Sequence, residues 1–126
     1  VITEADFSNA EWLILPGGMP GSANLAASTP LINLLKAHNE ANGKIAAICA
    51  APAVLGKLGI LIGKQATCYP GFQEALGESY VGGLVVESKN IITAKGPGLS
   101  SDFAFCLIEK LAGEEAADEV YDAAQY

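Results

Sequence analysis

Apolar residues in this chain come in short unbroken runs, separated by stretches in which they recur every three or four positions. Residues Glu11 to Leu15 carry Trp12-Leu13-Ile14-Leu15 and stop at Pro16-Gly17-Gly18. That pattern predicts a buried, parallel-type strand running into a glycine loop. Thr29-Pro30 then opens a helix, with Thr29 as N-cap and Pro30 in its first turn. Leu31, Leu34, Leu35 and His38 recur at helical spacing, and Asn42-Gly43 ends that helix. Lys44 to Ile48 reads as a second strand, and Ala51 to Leu58 as a helix stopped by Gly59. Gln65 to Tyr69 reads as a short strand ended by Pro70-Gly71, and Phe72 to Leu76 as one or two helical turns. Leu84 to Glu87 and Ile91 to Ala94 flank Lys89-Asn90 and form either a hairpin or two successive strands. After Gly96-Pro97-Gly98, Ser100 or Ser101 caps a helix running to about Leu111, with Leu99, Phe103, Cys106, Leu107 and Lys110 near one face. Gly113 separates it from an acidic C-terminal helix. Strands alternating with helices predict an α/β layered fold with a mostly parallel sheet, in a single domain spanning residues 1–126.

Composition narrows the function. Hydrophobic residues make up 51% of the 126 residues and charged residues 17%, which argues against disorder. The net charge of −7 disfavours nucleic acid and anionic membranes as partners. The longest apolar stretch, about Ile45 to Gly56, is broken by Pro52 and falls short of the roughly 20 residues that span a bilayer. The three cysteines, Cys49, Cys68 and Cys106, are irregularly spaced, with no zinc pattern, and fit a reducing, cytoplasmic compartment. No metal or cofactor is expected.

The candidate chemistry lies at Ile48-Cys49-Ala50-Ala51-Pro52. A strand that turns sharply into a helix holds its corner side chain away from the backbone, the geometry of a nucleophile elbow. The crowded turn needs small residues two positions either side, here Ala47 and Ala51. The helix N-terminus favours negative charge, hence a thiolate at Cys49. The alternative is an inert buried cysteine at the end of a core strand. In a parallel sheet, functional groups gather at the carboxyl ends of the strands. The loops Pro16-Gly17-Gly18 and Gly96-Pro97-Gly98 should therefore flank Cys49. The Ala50 N–H, with that of Gly18 or Gly17, would hold a developing oxyanion. Tyr69 and Pro97 should reach the same edge. His38, the sole histidine, fits a partly buried helix face better than catalysis. Cys68 could resolve an oxidised Cys49 but reads more simply as buried, and Cys106 reads as core.

These residues resemble the ThiJ/PfpI superfamily, in the branch of the parkinsonism-associated protein related to class I glutamine amidotransferases. The resemblance rests on four motifs in order: Leu15-Pro16-Gly17-Gly18-Met19-Pro20-Gly21, Ala46-Ala47-Ile48-Cys49-Ala50-Ala51-Pro52, Thr67-Cys68-Tyr69-Pro70-Gly71 and Lys95-Gly96-Pro97-Gly98. It implies a flavodoxin-like three-layer sandwich, a homodimer, Cys49 as nucleophile, and Gly18 and Ala50 as oxyanion donors. The resembled proteins also carry an N-terminal strand and helix whose glutamate hydrogen-bonds the cysteine. Nothing precedes Val1 in this sequence. The resemblance therefore implies that the chain is the larger piece of a longer protein, with the N-terminal segment as a partner and apolar surface left uncovered. Ala50 stands where protease-like members carry histidine, and Tyr69 where many relatives do. Both departures argue against peptidase and amidotransferase chemistry. The leading expectation is a glyoxalase- or deglycase-like enzyme acting on methylglyoxal, glyoxal or a glycated substrate. The alternative is a non-catalytic redox sensor or stress chaperone built on an oxidisable Cys49. No motif supports the thiazole or phosphate binding that a role in thiamine biosynthesis would need.

Overall fold

A computed structural model describes residues 5–125; Val1 and the chain end at Tyr126 lie outside the described residues. The four strands are β1 (Trp12–Leu15), β2 (Lys44–Ile48), β3 (Val85–Ser88) and β4 (Ile91–Ala94). They form one sheet in the order β1-β2-β4-β3. β1 and β4 both pair parallel with β2, while β3 and β4 form an antiparallel hairpin. The turn Lys89-Asn90 thus makes a hairpin of the two runs that flank it. Lys89 takes a left-handed φ of 54° to close it.

Helices cover the two faces. On one side lie α1 (Gly21–Ala26), α2 (Thr29–Glu40), α3 (Pro52–Lys57) and α4 (Gln73–Leu76); on the other lie α5 (Ser100–Ala112) and α6 (Glu114–Ala123). The first core packs Leu35, Leu55 and Leu76 against Leu13, Leu15, Ile45 and Ile91. The second packs Phe103 and Leu107 of α5 against Ala46, Ile92 and Ala94. Each fully buried leucine or isoleucine stabilises the fold by roughly 1.5–3 kcal/mol. Successive residues of β2 face opposite sides, so Ile45 and Ala47 serve one core and Ala46 the other. α6 lies along α5, with the Phe105 and Tyr121 rings 5.1 Å apart and tilted by 57°.

Several boundaries differ from the sequence reading. Thr29 lies inside α2, and Ser28 precedes it without a side-chain cap. Likewise Leu99 precedes α5, and the Ser100 hydroxyl donates to the Pro97 carbonyl at 2.7 Å instead of capping the helix. The larger correction concerns Gln65 to Tyr69, which is no strand beyond a single bridge between Ala66 and Tyr80. Its N–H groups go to four different places. Gln65 donates to Ser88 Oγ at 3.0 Å. Ala66 donates to the Ser79 carbonyl, Thr67 to Thr93 Oγ1, and Tyr69 to the Cys49 carbonyl. The segment is buried like a strand at Ala66, Thr67 and Cys68, but no one neighbour offers it a ladder. Its last bond ties it to the elbow. In β1, Ile14 is 50% exposed between buried Leu13 and Leu15.

Candidate active site

β2 ends at Ile48, and the chain turns at Cys49 into α3. Cys49 has φ 66°, in the left-handed region that L-residues with a side chain rarely occupy. Holding a non-glycine residue there costs on the order of 1–3 kcal/mol and needs support from its surroundings. Two hydrogen bonds supply it. The Cys49 N–H donates to the Ala94 carbonyl at 2.9 Å, and the Cys49 carbonyl accepts from the Tyr69 N–H at 2.8 Å. The corner is pinned by β4 on one side and by the Thr67–Tyr69 segment on the other. The Ala51 N–H closes the turn onto the Ile48 carbonyl. Ala47, Ala50 and Ala51 are all buried, as the tightness of the turn requires.

The loop after β1 comes to meet this corner. A Cβ at Gly17 would lie 2.5 Å from Cys49 Cβ, 2.6 Å from the Ile48 carbonyl oxygen and 3.4 Å from Cys49 Sγ. Only glycine lets the two backbones approach so closely. Gly18 takes φ 93°, which also favours glycine. Among the described residues, no backbone hydrogen bond engages the N–H of Gly17, Gly18 or Ala50, although the Gly18 carbonyl accepts from the Ser22 N–H.

A cleft of ≈ 370 Å³ opens here, lined by Pro16, Gly17, Gly18, Ile48, Cys49, Pro97 and Ser100. The fold thus gathers Gly17, Gly18, Cys49 and Pro97 in one hollow. Ala50 lies directly beyond the corner, with its side chain on the α1 side of the elbow. Tyr69 is half-exposed and lies over the next loop, where a Cβ at Gly96 would come within 3.2 Å of its ring. Pro16 and Ile48 belong to the loop and the corner that the sequence placed at this edge, whereas Ser100 was read there only as a helix cap. The signal for Ser100 was available, since it follows the Gly96-Pro97-Gly98 loop after β4. No lining residue is a carboxylate or an imidazole.

Cys68 is fully buried, and its thiol is pushed up from the ordinary cysteine range by burial first and by the neighbouring Cys49 second. It is close enough to feel the charge of Cys49 but is shut away from solvent. Cys106 sits partly buried on α5 against the second core, with burial the leading cause of its raised thiol. All three cysteines are free. His38 is remote from the cleft. Its Nε2–H points at the Glu11 and Lys44 carbonyls, 3.3 and 3.1 Å away, at the amino ends of β1 and β2. Both partners only accept, so Nε2 carries the hydrogen. Among the described residues no group of histidine, cysteine and acidic side chains could hold a metal ion. No helix among them is long and apolar enough to cross a membrane.

A mostly parallel sheet between helical layers, with a strained cysteine corner at its carboxyl edge, defines the class. The DJ-1/PfpI family model matches residues 1–110, and the chain belongs to that family, with its flavodoxin-like α/β fold. The chain is 43% identical over 111 residues to Protein dj-1beta of Drosophila melanogaster, covering 86% of this chain and 59% of that protein. It is 37% identical over 111 residues to the glutathione-independent glyoxalase DJR-1.2 of Caenorhabditis elegans, with the same two coverages. The solved structure of oxidized DJ-1 from Toxoplasma gondii superposes with a TM-score of 0.93 at 35% identity, covering 100% of this chain and 70% of that one. The chain therefore spans about three-fifths of the length of these two curated relatives.

Proposed function

We propose that residues 1–126 form one domain carrying the reactive-cysteine site of a glyoxalase- or deglycase-like enzyme for small aldehydes such as methylglyoxal and glyoxal. The observation that carries this reading is the Cys49 corner, strained and pinned, facing a cleft beside a glycine loop that only glycine could form. The Cys49 thiolate attacks the aldehyde carbon, forming a C–S bond. The C=O π pair moves onto oxygen, where the free N–H groups of Ala50 and Gly18 stabilise the oxyanion. Protonation of that oxygen gives a hemithioacetal. Converting it to a hydroxy acid requires moving the proton of the former aldehyde carbon to the neighbouring carbonyl carbon, which leaves a thioester. Attack by water then breaks the C–S bond, releases the acid and returns the thiolate. The lining holds no carboxylate or imidazole to move the proton. That step belongs to a carboxylate outside the lining residues. The relationship to the Caenorhabditis elegans glyoxalase supports the substrate class.

The test is methylglyoxal turnover by the full-length protein and by Cys49→Ser. Turnover falling to the uncatalysed background in the variant supports the proposal, and equal rates overturn it. A second reading, redox sensing through Cys49, draws on the placement of the thiol at the open cleft and on the oxidized state of the Toxoplasma gondii neighbour. Intact mass after mild peroxide separates the two. A gain of about 32 Da, abolished in Cys49→Ser and without aldehyde turnover, favours sensing. In either role the protein works as a homodimer in the cytoplasm. Its free thiols fit a reducing compartment, and sedimentation of the full-length protein tests the dimer.

A further inference from the structure

The Cys49 corner has a second thiol beside it, Cys68, which the aldehyde chemistry does not use. The Tyr69 N–H donates to the Cys49 carbonyl at 2.8 Å, so the peptide group joining Cys68 to Tyr69 lies against the corner itself. Standard peptide dimensions then fix the separation of the two cysteines. A bond of that length, from the N–H that follows one residue to the carbonyl of another, places their Cα atoms about 5–6 Å apart. Disulfides span Cα separations of about 4.4–6.8 Å. The approach is held in place by β4. The Cys49 N–H donates to the Ala94 carbonyl at 2.9 Å, and the Thr67 N–H donates to Thr93 Oγ1 at 2.9 Å.

The two thiols differ in access and agree in position. Cys68 is fully buried in the first core, to which Ala47 and Ala51 on either side of the corner also belong. Its thiol lies near enough to Cys49 that negative charge there raises it, second only to burial. Cys49 opens onto the cleft, where a small oxidant meets it first. Both are free, and the third cysteine, Cys106, packs on α5 against the other core. The corner therefore pairs an accessible thiol with a shielded one at bridging distance.

We propose that Cys68 is the resolving thiol of Cys49, and that the two form a reversible disulfide under peroxide. This rests on Cys49 being the reactive thiol of the site proposed above. The Cys49 thiolate attacks one oxygen of hydrogen peroxide, the O–O bond breaks, and hydroxide leaves, giving Cys49–SOH. That form is uncharged, so the repulsion that kept the proton on Cys68 is gone. The Cys68 thiolate then attacks Cys49 Sγ. The S–S bond forms, the S–O bond breaks, and the oxygen leaves as water with the proton that Cys68 gave up. Two electrons have passed from the two thiols to the peroxide, and a dithiol reductant returns them. The bridge removes the nucleophile, so aldehyde turnover stops while it stands, and Cys49 is spared the irreversible sulfinic acid.

The test treats the freshly reduced full-length protein with one equivalent of hydrogen peroxide, then alkylates it and digests it with trypsin. Cleavage after lysine leaves Cys49 in the peptide 45–57 and Cys68 in the peptide 65–89. The expected product is these two peptides joined, with an intact mass lower by about 2 Da and with methylglyoxal turnover lost and then restored by dithiothreitol. In Cys68→Ala the same dose should add about 16 Da and excess peroxide about 32 Da, with turnover beyond recovery after the larger gain. Cys106→Ala should bridge as the parent does. The proposal is overturned if the joined peptides are absent, if they join separate molecules and double the mass, or if the parent and Cys68→Ala accumulate sulfinic acid at the same rate. The joined pair is read in the parent, so a poorly folded variant does not decide the outcome. A reduced protein that forms the bridge but never turns over methylglyoxal overturns the aldehyde reading and supports this one. A protein that turns over methylglyoxal and gains about 32 Da without bridging does the reverse.

Discussion

β1, β2 and β4 deliver polar groups at both ends, and the two ends treat them differently. At the amino ends, on the α2 side, the groups consume one another. His38 Nε2–H serves the Glu11 and Lys44 carbonyls. Asn90 Nδ2 donates to Asn39 Oδ1 at 3.0 Å and to the Gly43 carbonyl at 2.7 Å, and Lys64 Nζ donates to the same Asn39 oxygen. Even Gly43 is committed, since a Cβ there would strike the His38 ring at 2.5 Å. At the carboxyl ends the backbone carries strain, and among the described residues the N–H groups of Gly17, Gly18 and Ala50 find no backbone acceptor. A closed polar network stabilises a fold and leaves nothing to offer a substrate. An open set of donors beside a strained cysteine is an arrangement that a ligand can complete.

The sharpest way to break this contrast is at Gly17. Gly17→Ala places a Cβ inside contact distance of Cys49 Cβ and the Ile48 carbonyl, so one of the two loops must shift. Methylglyoxal kcat/KM is expected to fall about 100-fold, the scale set by an ångström of misplacement at a reacting group. A folded variant with near-parental kinetics would show that the close approach has no catalytic role. At the other end, Asn90→Ala leaves Asn39 Oδ1 and the Gly43 carbonyl short of a donor. Chemical denaturation should show a loss of about 1–3 kcal/mol, with the kinetics of the folded protein unchanged.

Strain at the corner has its own test. The left-handed φ of Cys49 penalises any side chain by about 1–2 kcal/mol, while glycine loses about 0.5–1 kcal/mol of backbone entropy on folding. Cys49→Gly is therefore expected to be more stable than Cys49→Ala by about 0.5–1 kcal/mol in urea unfolding. Equal stabilities would mean that the corner is relaxed. The smallest effect is expected at His38. His38→Ala removes one shared N–H and should cost about 1 kcal/mol of stability, leaving the pH profile of aldehyde turnover unmoved. A displaced profile would bring the amino end into the chemistry.

Much of this was legible in the chain. Lys44 to Ile48 is a strand because an unbroken apolar run can be buried on both faces, and its bounds came out as read. Leu31, Leu35 and His38 turn one face of α2 inward, as their spacing implied. The grouping of Gly17, Gly18, Cys49 and Pro97 followed from the rule that loops after parallel strands share an edge. Gln65 to Tyr69 misled because apolar content reports burial and not the identity of a hydrogen-bonding partner. Its donors go to Ser88, Ser79, Thr93 and Cys49, four points that no local pattern encodes.

The sequence alone determined where the chain is apolar, where it turns and which cysteine stands at a strand end, because these are properties of neighbouring residues. It therefore settled the layered α/β fold and singled out Cys49. Only the tertiary structure decided that Lys89-Asn90 closes a hairpin, that Gly17 must lack a side chain because Cys49 lies against it, and that His38 is spent on two strand carbonyls. It also brought Cys68 beside the Cys49 corner through the Tyr69 N–H. Each of these depends on distances between segments far apart in the chain, and packing both cores at once is what sets those distances.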